Sequence, residues 1–177
     1  VRYRTTWFVG ADHAAAADRL GELHARIVAP ARRRHHEGVA VPVPPLPEAT
    51  RELFARPNPA VVAVVMPDGQ PSSVATWYLL EDDGTVLVNM DAERARVDWM
   101  RAEPRVALTA TDQADWYTHV SVRGRIVRWA DDPDLTDIDR LSRHYTGQPY
   151  RTRDRARVSA WIEVEHWHGW GAAKVQA

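Results

Sequence analysis

Three strand-length apolar runs between Val61 and Met90 are separated by turns of only a few residues. Connections that short join antiparallel neighbours, because a parallel pair needs a crossover of a dozen residues or more. Residues 61–66 form the first run, ended by Pro67-Asp68-Gly69, and residues 70–80 follow as a second extended stretch. Proline and glycine there set a tight turn, so the two runs predict a hairpin. Glu81-Asp82-Asp83-Gly84 supplies another polar turn before the β-branched run 85–90, and a meander of three strands is expected. Residues 91–101 then place acidic groups in a first turn and Val97 and Met100 at helical spacing. Pro104 closes that helix, and residues 105–111 start a fourth strand.

Further on, residues 119–129 alternate around Arg123-Gly124-Arg125 and read as a strand. Asp131-Asp132-Pro133-Asp134 caps a helix carrying Leu135, Ile138, Leu141 and Tyr145, which Gly147 and Pro149 end. Residues 157–164 make a last strand, followed by Glu165-His166-Trp167-His168-Gly169-Trp170. Hairpin-joined strands with two or three helices, and no regular strand–helix alternation, predict a mainly β (α+β) antiparallel barrel with peripheral helices. Upstream, residues 12–29 have the spacing of an amphipathic helix. Arg32, Arg33 and Arg34 follow, then a proline-rich tether over 41–47 and a short helix over 48–55. The expected division is therefore an extension and tether over 1–46 and a barrel domain over 47–177.

Composition excludes more than it assigns. A net charge of -1 gives no global attraction to nucleic acid or anionic membrane. The absence of cysteine removes thiol catalysis and cysteine-ligated metals, so any redox chemistry must come from a bound cofactor. His35-His36 and His166-x-His168 lack the i, i+4 spacing of a helical zinc pair, and no metal is expected. No apolar run approaches the ~20 residues of a membrane span, and a cytoplasmic protein is the expectation. Arg94 and Arg96 stand where the third strand gives way to a helix. Guanidinium groups beside a helix N-terminus suit a phosphate or carboxylate, or they pair with Asp91, Glu93 and Asp98 on a solvated face.

The order of these pieces resembles one family. The Pro-Asp-Gly turn, Ser72-Ser73-Val74-Ala75-Thr76-Trp77-Tyr78, Val88-Asn89-Met90, Arg94-x-Arg96, Pro104-Arg105-Val106 and Val120-Ser121-Val122-Arg123-Gly124-Arg125 look like the pyridoxamine-phosphate-oxidase-like split barrels. The likeness covers roughly residues 47–171 and is greatest to the actinobacterial flavin and deazaflavin branch. It implies a homodimeric split β-barrel with the cofactor at the interface. Arg94 and Arg96 match the positions that hold the cofactor phosphate. Ser72, Ser73, Val74 and Trp77, with Val88, Asn89 and Met90, match the ring cradle. His119 matches a ring-contacting position, and Trp167 in Glu165-x-Trp167-x-Gly169 matches a tryptophan that touches flavin from the partner chain.

The resemblance breaks after Trp167. Pyridoxamine phosphate oxidases continue with an Arg-Leu-His element for the substrate phosphate, whereas this chain reads Gly171-Ala172-Ala173-Lys174. A vitamin B6 oxidase is disfavoured, since a semi-buried phosphate needs a compensating cation. The implied activity is hydride transfer from reduced coenzyme F420, a deazaflavin, to an activated C=C bond of the enone type, for instance in a polycyclic natural product. An FMN-dependent oxidase or reductase is one alternative, and a non-catalytic binder of cofactor or tetrapyrrole is another. Arg32, Arg33 and Arg34 are candidate contacts for the F420 tail. Tyr117, His119 and Tyr145 are candidate proton donors, with no catalytic residue assigned. Trp77, Trp116, Trp161, Trp167 and Trp170 are candidate walls for a flat substrate, with core the preferred place for Trp161 and Trp99.

Overall fold

The computed structural model describes residues 45–174. The helix expected over 12–29, the Arg32–Arg34 run and most of the tether lie outside the described residues. The short helix α1 spans Glu48–Phe54. Strands β1 (Ala60–Val65) and β2 (Pro71–Thr76) form the expected hairpin. Gly69 at its turn has φ +84°, which an L side chain rarely adopts. The second stretch then breaks at Trp77-Tyr78 and resumes as the two-residue β3 (Leu79–Leu80), hairpinned to β4 (Val86–Asp91). Helix α2 (Ala95–Ala102), β5 (Arg105–Thr111), β6 (His119–Asp131), helix α3 (Thr136–Thr146) and β7 (Arg157–Trp170) complete the order.

The strand order is β2-β1-β5-β6-β7-β4-β3, with every pairing antiparallel. The expected meander holds only in part: β4 pairs with the end of the second stretch through β3, but its other neighbour is β7 and it does not pair with β2. The two strands at opposite ends of the order, β2 and β3, are separated in the chain only by Trp77 and Tyr78. A sheet whose ends are that close must curl round on itself, and the result is an antiparallel split barrel. A second correction concerns β7, which runs on through Glu165 and Trp167 to Trp170. A bulge between Arg123 and Gly124 lets so long a pair bend: a Cβ on Gly124 would overlap the backbone carbonyl of Glu163.

Two cores hold these pieces. Inside the barrel, Val62, Val64, Val88, Leu108, Val120, Val122 and Ile162 are buried under Phe54, Tyr78 and Met100. Phe54 and Tyr78 are fully buried and stacked at 4.9 Å. Burying side chains of that size contributes about 1.5–3 kcal/mol each. Outside the barrel, α3 packs Leu135, Ile138 and Leu141 onto Leu87 of β4 and Trp161 of β7. Along that face of β4 and β7 the paired residues change from Leu87–Trp161 to Asn89–Ser159 and then Asp91–Arg157. The helix therefore covers an apolar end, and a polar end is left at its N-terminus.

Candidate functional site

A cleft of about 550 Å³ opens at the barrel's break, lined among others by Trp77, Asn89, Arg96, Tyr145, Tyr150 and Arg157. One wall is aromatic. Trp77 stacks on Tyr145 with centroids 5.3 Å apart and planes 17° apart, and Tyr150 meets Trp77 edge-on at 6.4 Å. The Tyr145 hydroxyl donates to the Asn58 carbonyl at 3.0 Å and accepts from the Tyr78 N–H at 3.4 Å. Burial pushes its pKa up to about 12, so the hydroxyl keeps its proton and serves to fix the wall.

The other end is cationic. Arg157, the first residue of β7, donates its Nε–H to Asn89 Oδ1 at 2.8 Å and lies over the Tyr150 ring at 5.0 Å. Arg96 stands in the first turn of α2, with its Nε buried and without a hydrogen-bond partner. Burial, then the neighbouring Arg94 and Arg157 guanidiniums, push the Arg96 pKa below the usual arginine range, and burial does the same to Arg157. The cap residue of α2, Arg94, makes no side-chain capping bond, which leaves first-turn N–H groups available to an anion. Clustered, half-buried guanidiniums with an orphaned donor suit a phosphate or carboxylate. The residues present thus fit a cofactor that has a flat ring and an anionic tail.

The predicted site residues are distributed unevenly. Trp77, Asn89 and Arg96 line the cleft. Arg94 is exposed and lines an adjoining hollow with Asp91, Glu93 and Arg155. Ser72, Ser73 and Val74 sit on β2, outside the lining, and Val88 and Met90 are buried in the barrel core beneath it. His119 begins β6, its Nδ1 2.8 Å from the Tyr117 carbonyl, and Trp167 belongs to the barrel core. Of the other tryptophans, Trp161 lies in the outer core, Trp99 packs against the barrel core, and Trp116 is 75 % exposed. Sequence reasoning missed Arg157 and Tyr150. Arg157 is one of four alternating arginines from Arg151 onward, and only its position opposite Asp91 on β4 separates it from the others.

Residues 46–171 match the sequence profile of the pyridoxamine 5'-phosphate oxidase family. Among solved structures, an F420 reductase shares 25 % identity over 69 % of this chain and 98 % of its own, with a TM-score of 0.62. A conserved hypothetical protein from Mycobacterium tuberculosis shares 23 % over 72 % and 86 %, with a TM-score of 0.58. General stress protein 26 from Bacillus anthracis shares 14 % over 70 % and 92 %, with a TM-score of 0.53. The last two are likenesses of fold. A search of the curated proteins returns no match. Among the described residues, no helix is long and apolar enough to cross a membrane.

Proposed function

The chain belongs to the pyridoxamine 5'-phosphate oxidase family, and on that premise we propose that it is an oxidoreductase whose cleft holds coenzyme F420 and whose substrate carries an activated C=C bond of the enone type. The observation that carries this is the orphaned, buried Arg96 Nε beside Arg157 at the end of an aromatic-walled cleft. Arg96 and Arg157 hold the cofactor phosphate, with Arg94 at the rim. Trp77, Tyr145 and Tyr150 orient the ring and keep water from one side of it. When bound and reduced, the deazaflavin supplies a hydride to the electron-poor carbon. The likeness to an F420 reductase favours this cofactor. FMN is the second reading, because two guanidiniums suffice for its single phosphate.

The active unit in this proposal is a homodimer. Val61, Ala63, Ala107, Thr109 and Ser121 line the outer face of β1, β5 and β6, with Arg123 beside Ala107 and His119 at its margin, and on this face a second copy can lie. Titration with F420 and with FMN, repeated on Arg94→Ala, Arg96→Ala and Arg157→Ala, tests the cofactor assignment. Loss of Arg96 or Arg157 is expected to weaken binding about ten- to hundredfold, the equivalent of one or two charge-assisted hydrogen bonds. Binding of neither cofactor, or affinity indifferent to both arginines, would sink the proposal. Tight binding with no turnover of any enone would leave a carrier and not an enzyme.

A further inference from the structure

We propose that Asp132 is a positioning residue for the cleft: its buried carboxylate fixes the amide of Asn89, and through that amide aims Arg157 at the cofactor's phosphate. The inference rests on reading the cleft as the site of a phosphate-bearing redox cofactor.

Asp132 is only 4 % exposed and does not itself line the cleft. Its Oδ2 accepts from Asn89 Nδ2 at 3.0 Å and from the Ile138 N–H at 3.0 Å, and its Oδ1 accepts from the Asp137 N–H at 3.1 Å. The Asn89 amide nitrogen also donates to Ser159 Oγ at 3.0 Å, and that hydroxyl in turn donates to Asp137 Oδ2 at 2.8 Å. An asparagine amide offers donors on one side and an acceptor on the other. With both amide hydrogens committed, Oδ1 is left facing Arg157 Nε at 2.8 Å. The flipped amide would set its NH₂ against the Nε–H and its oxygen against the Asp132 carboxylate. A carboxylate accepts and does not donate, so Asp132 selects one of the two orientations.

The turn around Asp132 is built for this. Leu135 is the one non-glycine among the described residues with positive φ, at 58°. Its N–H reaches back to the Asp132 carbonyl at 3.1 Å while its side chain is buried in the outer core. An L residue held left-handed persists only where its surroundings over-determine it. Here it winds the chain so that the first N–H groups of α3 meet the Asp132 carboxylate. The helix that carries Tyr145 and Ile138 on the cleft wall is therefore anchored to the same group that orients the clamp.

The test compares cofactor with and without its phosphate: FMN against riboflavin, with F420 against its ribityl deazaflavin core, which lacks both phosphate and tail, as a second pair. Asp132→Asn and Asn89→Ala are titrated with each, with thermal melts of every variant. Asn89→Ala leaves both helix-capping bonds of Asp132 in place, so it reports even if Asp132→Asn folds poorly. Both variants are expected to weaken the phosphate-bearing form about tenfold and the phosphate-free form less than about twofold. In an Arg157→Gln background, neither should weaken it further. Equal losses for both forms, the outcome of a simple helix cap, would overturn the proposal, as would an undiminished phosphate preference in both variants. A wild-type protein with no phosphate preference at all would refute the reading of the cleft, and this inference with it.

Discussion

Replacing Arg96 by methionine should move stability and binding in opposite directions. Methionine keeps an unbranched apolar stem and removes the guanidinium whose buried Nε lacks a partner. A buried donor left unsatisfied costs about 1–3 kcal/mol, and Arg94 and Arg157 add repulsion that solvent partly screens. Arg96 is only half-buried, so we take the lower end of that range. Net stabilisation of the ligand-free protein is then about 1 kcal/mol, a rise in Tm of about 3–5 °C for a domain of this size. The cofactor, in contrast, loses a charge-assisted contact of about 1.5–3 kcal/mol, or about ten- to hundredfold in affinity. Differential scanning calorimetry without ligand and a fluorescence titration with F420 or FMN read the two effects separately. A fall in Tm would show that Arg96 supports the fold, and unchanged affinity would show that it holds no anion.

Three further outcomes follow from the geometry. Gly124→Ala puts a methyl group into the Glu163 carbonyl at the β6–β7 bulge and should cost more than about 3 kcal/mol in chemical denaturation; a loss under about 1 kcal/mol would show that the strands part easily. Tyr145→Phe removes the hydroxyl held by Asn58 and Tyr78, at about 1–2 kcal/mol. Because burial raises the Tyr145 pKa to about 12, its contribution is complete below the ordinary tyrosine value of about 10 and fades as pH rises through 12, so the variant should have a flatter alkaline limb. The Asp91 carboxyl is held below the usual range by the Glu93 N–H and by Arg155, so its contribution is present above about pH 4 and is lost as pH falls. Asp91→Asn should make the acid limb of stability against pH shallower, and an unaltered limb would contradict the assignment.

Elements set by local chemistry were legible in the sequence. Pro67-Asp68-Gly69 and the Asp83-Gly84 turn ended their strands where expected, since a positive φ at Gly69 and Gly84 is a local requirement. The helix after Asp132 was legible for the same reason, because its cap lies next to it in the chain. Pairing at long range was not. β4 and β7 meet across some seventy residues, and nothing in residues 85–91 says that their partner begins at Arg157. Asn89 shows the limit most clearly. Its resemblance to a ring-cradling position drew attention to it, but its partners Asp132, Ser159 and Arg157 come from other strands and turns and exist only once the barrel has closed.

That closure at Trp77-Tyr78 also bears on how the protein resists edge-to-edge aggregation. A sheet with two loose margins offers two rows of unpaired backbone groups to any passing strand, the usual route to ordered aggregation. Here both margins belong to one short stretch of chain. One is headed by Pro71, which donates no hydrogen bond, and the other is only two residues long.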